Sequence, residues 1–136
     1  MNTQTSIARP SLPVAAERNE RPARRGKIEV SAGAIATLAG RAVTECYGVV
    51  GIAARRPRFG MLELLTPEHY RRGIDVRFVS DHIAIDVYVV LEHGLRISEI
   101  AHNLIKGVRY SVEQSLGLAV VEVNVHVQGL RVSAEG

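Results

Sequence analysis

Four stretches of the chain alternate apolar and polar residues with the period of two that is typical of β-strands with one face in a core. In chain order they are residues 27–30, 74–78, 83–91 and 121–128. A short apolar run over residues 49–54 predicts one more strand. Because the turn cluster Ser80-Asp81-His82 separates the second and third stretches, these two are expected to form a hairpin.

Apolar residues spaced three and four apart predict two amphipathic helices. One stripe extends from Ile35 to Cys46, and the other extends from Ile97 to Leu116. Both have residues that favour helix ends, a hydroxyl before the stripe and a glycine after it. These predicted ends are Ser31 and Gly48 for the first helix, and Ser98 and Gly117 for the second.

The elements therefore follow the order β-α-β-β-β-α-β, which predicts an α+β fold. The longer strands alternate, whereas a sheet covered on both faces would show continuous apolar runs. We therefore expect a two-layer sandwich, with a mixed or antiparallel sheet and two helices on one face. The other face is expected to be open to water or a partner, with Tyr88 and Val90 as outward-facing contact residues.

The chain has three parts by composition. Residues 1–26 have no helical or strand period and hold Pro10, Pro13 and Pro22, so we expect a disordered tail. Their five arginines and two glutamates give 5 − 2 = +3, which equals the net charge of the whole chain. Residues 27–132 form the predicted domain and residues 133–136 form a short polar end. Residues 27–136 carry 12 basic and 12 acidic side chains, so this part of the chain is formally neutral. A neutral domain argues against a dedicated nucleic-acid binder.

Residues 55–72 are expected to form a long loop that gathers positive charge. Loops of this length in a compact domain are usually functional or disordered. Three interpretations remain open for this one: a solvated connection, a contact surface for an acidic protein, and an RNA- or DNA-binding module. The arginines concerned are Arg55, Arg56, Arg58, Arg71 and Arg72.

The sequence offers little for catalysis. The five histidines lack metal-ligand spacing, the one cysteine is Cys46, and no phosphate-binding or nucleophile motif occurs. Asp75, Asp86 and Glu122, together with Asn124 and His126, fall on polar positions of strands, and their convergence depends on strand register. We therefore predict no enzymatic activity, no cofactor and no metal.

Residues 26–132 resemble the alkaline shock protein family, the Gls-type envelope stress response proteins. The more specific motifs are a Gly-Val-x-Gly after the first helix and a Val-Asn-Val-x-Val in the last strand. The order and spacing of the motifs carry the resemblance, although Tyr47 replaces the usual proline of the first. The matching segments are residues 26–31, 46–51, 73–76, 89–94, 115–118 and 123–127.

The resemblance implies a non-enzymatic protein of cell-envelope stress that acts through protein interactions. It also implies a cytoplasmic location, at the inner face of the membrane in relatives held there by an anchor protein. Other relatives self-associate, so a homo-oligomer is a further expectation. The chain itself has no apolar run near the roughly 20 residues of a transmembrane helix, and no secretory signal is expected.

Overall fold

The computed structural model describes residues 29–132, and within this range two helices and four strands form one α+β unit. The fold class predicted from the sequence is thereby confirmed. The predicted tail, residues 1–26, and the predicted polar end, residues 133–136, lie outside the described residues. The elements are α1 (Ala32–Thr44), β1 (Val49–Ile52), a 3-10 helix (Pro67–Arg72), β2 (Ile74–Val79), β3 (His82–Glu92), α2 (Ile97–Leu116) and β4 (Val120–Arg131).

The central strand of the sheet is β3. Strands β1 and β2 pair antiparallel with successive halves of it, so that Ile52 lies opposite Val89 and Ile74 opposite Val87. Strand β4 runs parallel to β3 along its whole length. The sheet is therefore mixed, and the predicted hairpin between β2 and β3 is confirmed.

Both helices cover one face of this sheet, as the alternation predicted. Every odd-numbered residue of β3 from Ile83 to Leu91 is fully buried. These side chains belong to one core cluster with the α1 stripe around Ala39 and the α2 stripe around Leu104. Trp is absent from the chain, so the core consists mainly of aliphatic side chains.

The first helix begins as predicted and ends earlier than predicted. The Ser31 hydroxyl accepts a hydrogen bond from the backbone N–H of Ala34 at 3.1 Å, which confirms the N-cap. The helix ends at Thr44, and Glu45 is its C-cap. Gly48 has the expected positive φ of 89°, but it belongs to the turn that leads into β1. The prediction that Gly48 closes this helix is therefore wrong.

For the second helix, the predicted C-terminal glycine is confirmed and the predicted N-cap is wrong. Gly117, with a φ of 75°, closes it as predicted. The predicted N-cap Ser98 is wrong, because Arg96 occupies the cap position and forms no side-chain hydrogen bond there. Ser98 lies inside the first turn instead, where its hydroxyl cannot act as the N-cap.

The strand predicted over residues 27–30 is absent from the two of its residues that the structure describes, Glu29 and Val30. The other two, Lys27 and Ile28, lie outside the described residues. Val30 is followed directly by Ser31, the N-cap of α1, so the chain enters the helix at this point.

Gly107 leads to a first prediction, on stability. It lies inside α2, where glycine costs about 1 kcal/mol relative to alanine. A Cβ at Gly107 would lie 3.6 Å from Sγ of Cys46, which is an ordinary van der Waals distance. We expect Gly107→Ala to raise the free energy of unfolding by about 0.5–1 kcal/mol, measured by urea denaturation. A lower unfolding free energy would show that Gly107 lies closer to Cys46 than this distance indicates.

Candidate functional site

The face of the sheet opposite the helices carries a cluster of polar side chains in cross-strand register. Asp75 of β2 lies opposite Asp86 of β3, which in turn lies opposite Asn124 of β4. Tyr88 lies opposite His126 in the adjacent row. We call this surface the polar face, and it consists of the side chains of Asp75, Arg77, Asp86, Tyr88, Glu122, Asn124 and His126.

Asp86 is the centre of the hydrogen bonding on the polar face. Its Oδ1 accepts from Nδ2 of Asn124 at 2.9 Å and lies 3.2 Å from Nε2 of His126. Its Oδ2 accepts from the guanidinium of Arg77 at 2.9 Å. The Asp86 side chain is only 14% exposed, so these three partners replace most of its contact with water.

These contacts lower the pKa of Asp86. Partial burial alone would raise it, because burial disfavours the carboxylate. The hydrogen bonds from Asn124, His126 and Arg77, together with the charge of Arg77, outweigh that effect. The structure therefore contains an ionised Asp86 whose charge is held in place by three neighbours.

Tyr88 and His126 form an aromatic pair beside this carboxylate. Their ring centroids are 4.4 Å apart and the ring planes differ by 11°, so the rings are stacked. Both side chains are partly exposed. Stacking across the strands fixes the orientation of His126 toward Asp86, and it leaves a flat aromatic surface within the polar face.

Ion pairs with Asp75 extend the polar face toward β2 and Arg55. A guanidinium nitrogen of Arg77 lies 4.0 Å from Oδ2 of Asp75, and one of Arg55 lies 3.6 Å from the same oxygen. Glu122 accepts from Nδ2 of Asn124 at 3.0 Å. Acidic, basic, amide and aromatic groups thus lie side by side with their orientations fixed.

The polar face offers oriented hydrogen-bonding, charged and aromatic groups. The Asp86–His126 contact could orient an imidazole, but no serine, threonine or cysteine belongs to the polar face as a nucleophile. Within residues 29–132, no three histidine, cysteine, aspartate or glutamate side chains are grouped so that they could hold a metal ion. The polar face is an open sheet surface, so Tyr88 and His126 stay in contact with water.

The segment predicted as a long irregular loop is ordered by backbone pairing. Ala53 bridges Leu64, and Arg58 bridges Met61, both in antiparallel orientation. Residues 67–72 form the 3-10 helix, which begins at a proline. We call residues 53–64 the arginine hairpin. Residues 55–66 thus form the predicted long connection, held by two isolated bridges, whereas residues 67–72 depart from the prediction as a 3-10 helix.

The five arginines of this segment differ in their partners. Arg72 donates to both carboxylate oxygens of Glu63, at 2.8 and 3.2 Å, and Arg55 pairs with Asp75. Arg56, Arg58 and Arg71 form no ion pair with another residue in the 29–132 range. The structure therefore does not bring all five together as one free cationic cluster.

Val90 lies on the predicted face, but its predicted exposure is wrong, since it is only 1% exposed. Its neighbours in register are Gly51 of β1 and Gly129 of β4. A Cβ on Gly51 would meet Leu64 at 3.2 Å, and one on Gly129 would meet Leu62 at 2.5 Å. The arginine hairpin thus packs its leucines over this glycine row and covers one end of the face. Tyr88 and His126 remain partly exposed.

Sequence reasoning identified most of the polar face but missed Arg77. The polar positions of the strands included Asp75, Asp86, Glu122, Asn124 and His126. Their convergence depended on strand register, and the observed register brings them together. Arg77 was not singled out, although its alternation phase is the same as that of Asp75. The register between β2 and β3 makes Arg77 a partner of Asp86, and a two-residue hairpin turn at Ser80 and Asp81 sets that register.

Comparison with known proteins places the chain among envelope-related proteins. The model of the alkaline shock protein family, described as having a cell envelope-related function, matches residues 20–132. The uncharacterized protein YloU of Bacillus subtilis (strain 168) is 44% identical over 109 residues, 79% of this chain and 91% of that protein. The uncharacterized protein Spy1614 of Streptococcus pyogenes serotype M6 is 39% identical over 111 residues, which cover 81% and 92% of the two chains.

Solved structures show a more distant likeness. A nickel form of a MamM CTD variant aligns with 71% of this chain and 95% of its own, at 14% identity and a TM-score of 0.44. A likeness at this level carries no functional argument. Within residues 29–132, no helix is both long enough and apolar enough to cross a membrane.

Proposed function

Since the chain belongs to the alkaline shock protein family of cell envelope-related proteins, we propose that it is a non-enzymatic component of envelope homeostasis under stress that binds a protein partner through its polar face. The observation that supports this most is the network around Asp86. Its side chains are held in fixed positions by each other and are still reachable from solvent at Tyr88 and His126.

A network of this kind is suited to specific protein binding. Side chains that are already ordered lose little conformational entropy when a partner arrives. Aromatic residues are enriched among those that dominate binding energy, and Tyr88 supplies one within the polar face. The alternating charges of Asp75, Arg77 and Glu122 would select a partner with the complementary pattern.

The proposal includes a location and an assembly. We expect the protein to be cytoplasmic and peripheral at the inner face of the membrane, where an anchor protein is the partner. We also expect it to form a homo-oligomer, which light scattering of the purified chain would measure. Binding of RNA or DNA through Arg55–Arg72 gains no support, because Arg55 and Arg72 already have carboxylate partners.

Membrane vesicles from the bacterium that makes this chain would test the proposal. We expect the purified chain to co-sediment with them, and protease treatment of the vesicles should reduce this binding to the level reached with protein-free vesicles of the same lipids. Replacing both Tyr88 and His126 by alanine should weaken it about tenfold or more, because both stacked rings would be lost from the contact. Glu122→Lys should also weaken it, since this variant reverses an exposed charge without touching the core.

Tyr110→Ala is the matched control, because Tyr110 is 67% exposed on α2 and lies outside the polar face. It should bind like the wild type. Unfolding curves would confirm that each variant is folded. Equal binding by the Tyr88/His126 double variant, Glu122→Lys and the wild type would rule out the polar face as the contact surface.

A further inference from the structure

The arginine hairpin ends in a tight turn that exposes an aromatic side chain. The backbone N–H of Met61 donates to the carbonyl of Arg58 at 2.9 Å, which closes the turn around Phe59 and Gly60. Both central residues have positive φ, 51° for Phe59 and 70° for Gly60. Hairpin turns with this pattern usually carry asparagine, aspartate or glycine in the first central position.

Phe59 is unusual at this position in two ways. A bulky side chain is disfavoured at positive φ, and such outliers persist only where the surroundings impose them. Phe59 is also 96% exposed, so no packing within the described residues compensates for the strain. Met61, on the other side of the turn, is 67% exposed. Folding therefore gains nothing from the apolar character of this apex, which points to an external apolar environment.

The base of the hairpin is fixed to the rest of the molecule. Leu62 and Leu64 pack over the glycine row beside Val90. The side-chain amide of Gln128 lies 3.4 Å from the carbonyl oxygens of Ala54 and Arg55. The turn is therefore presented by an anchored base.

The charge around the apex has one sign. Residues 53–62 contain three arginines and no acidic residue. Arg55 pairs with Asp75, whereas Arg56 and Arg58, on either side of Pro57, form no ion pair within residues 29–132. The hydrogen bonds from Arg72 lower the pKa of Glu63, and the charge of Arg58 adds to this effect from a greater distance. A convex apolar apex next to unpaired guanidinium groups matches the interface of an anionic bilayer, in which apolar side chains enter the acyl boundary and arginines bind phosphates.

The geometry points to a direct membrane contact: Phe59 and Met61 enter the interface of an anionic lipid bilayer, while Arg56 and Arg58 bind the lipid phosphates. This contact is additional to the protein partner of the polar face and does not depend on it. The hairpin leucines pack on the same side of the sheet as the polar face, so the lipid and the partner would lie on one side of the molecule.

The shape of the apex favours lipid over single-stranded RNA. RNA-binding surfaces stack several bases on aromatic platforms along a cationic groove. Here a single aromatic residue lies at the apex of a projecting turn, and its exposed neighbours Met61 and Leu62 are aliphatic. Phe59 alone could stack only one base, whereas its apolar neighbours are suited to contact with acyl chains.

A tryptophan at the apex would report its environment, because the chain has no tryptophan of its own. We expect the emission of Phe59→Trp in the full chain to shift to shorter wavelength with vesicles that contain about 30% phosphatidylglycerol in phosphatidylcholine, a composition that supplies the negative surface potential of an anionic leaflet. Pure phosphatidylcholine vesicles should cause no shift. Tyr110→Trp, on an exposed position of α2, is the control and should show no shift with either vesicle. The absence of a Phe59→Trp shift with anionic vesicles would overturn the proposal.

Co-sedimentation with the same vesicles would measure the two kinds of contact. Replacing both Arg56 and Arg58 by glutamine should weaken binding about 30-fold, at roughly fivefold per arginine. Phe59→Ser should weaken it about tenfold. The controls are Arg96→Gln, for the arginines, and Tyr110→Ser, for the aromatic residue. Both positions are exposed elsewhere on the molecule, and both variants should bind like the wild type.

Two further measurements distinguish lipid binding by the apex from lipid binding by residues 1–26 and from RNA binding. When Phe59→Trp is combined with glutamine at the five arginines of residues 1–26, its emission should still shift with anionic vesicles. If this change in residues 1–26 abolished vesicle binding while the apex variants bound like the wild type, the proposal would be overturned. Quenching of Phe59→Trp by a single-stranded RNA, without any effect of vesicles, would also overturn it. Because these vesicles contain no protein, a negative result here leaves the polar-face proposal standing.

Discussion

Gly40→Ala is expected to lower the free energy of unfolding by about 3 kcal/mol or more, which is large against the total stability of a domain this size. Gly40 lies in α1 and is buried under the ring of Tyr70. A Cβ there would overlap Cδ2 and Cε2 of that ring. Tyr70 is only 7% exposed, so its ring cannot move aside without opening the contact between α1 and the 3-10 helix.

Urea denaturation at equilibrium would measure this effect, and Gly107→Ala is the matched control. Both variants make the same substitution inside a helix, where alanine is favoured by about 1 kcal/mol. The sign should differ, because the Cβ meets an aromatic ring at Gly40 and an ordinary contact at Gly107. Combining Gly40→Ala with Tyr70→Leu should recover part of the loss. A stabilising Gly40→Ala would show that Tyr70 does not pack on the helix as described.

The contact between Gly40 and Tyr70 also shows what the sequence could not predict. Period and alternation predicted the helices and the four described strands, because each carries its own repeat of apolar residues. Residues 55–72 have no such repeat. Their order comes from contacts distant in sequence, such as Tyr70 on Gly40 and the Arg72–Glu63 pair. A segment that is rich in arginine, proline and glycine therefore resembled an unstructured loop.

The candidate site was predictable to the extent that alternation assigns residues to a face. Alternation placed Asp86, Asn124 and His126 on the face away from the helices, and this was confirmed. It placed Val90 there as well, but could not reveal that two glycines beside Val90 make room for leucines of the hairpin. The burial of Val90 depends on which residues of the neighbouring strands lie beside it, whereas alternation describes a single strand.

Asp86→Asn is expected to lower the free energy of unfolding by about 2 kcal/mol at pH 7. The substitution keeps the shape of the side chain but removes the charge that accepts from Arg77 at 2.9 Å. It also replaces one carboxylate oxygen by an NH2 group, a donor that must then face either Arg77 or Asn124, both of which are donors. Asp81→Asn is the control, because its carboxylate is 85% exposed in the β2–β3 turn, and it should change stability by less than about 0.5 kcal/mol.

The effect of Asp86→Asn should depend on pH with a definite sign. Folding lowers the pKa of Asp86, so the ionised carboxylate stabilises the folded state fully above the pKa of the unfolded chain, about 3.9. This stabilisation is lost as the pH falls through the lower, folded pKa, because the carboxylate becomes protonated in both states. The difference between wild type and Asp86→Asn should therefore be largest near neutral pH and shrink in acid. Urea denaturation between about pH 7 and about pH 2.5 would measure this difference. Parallel curves for the two proteins over that range would show that the charge of Asp86 does not hold the polar face together.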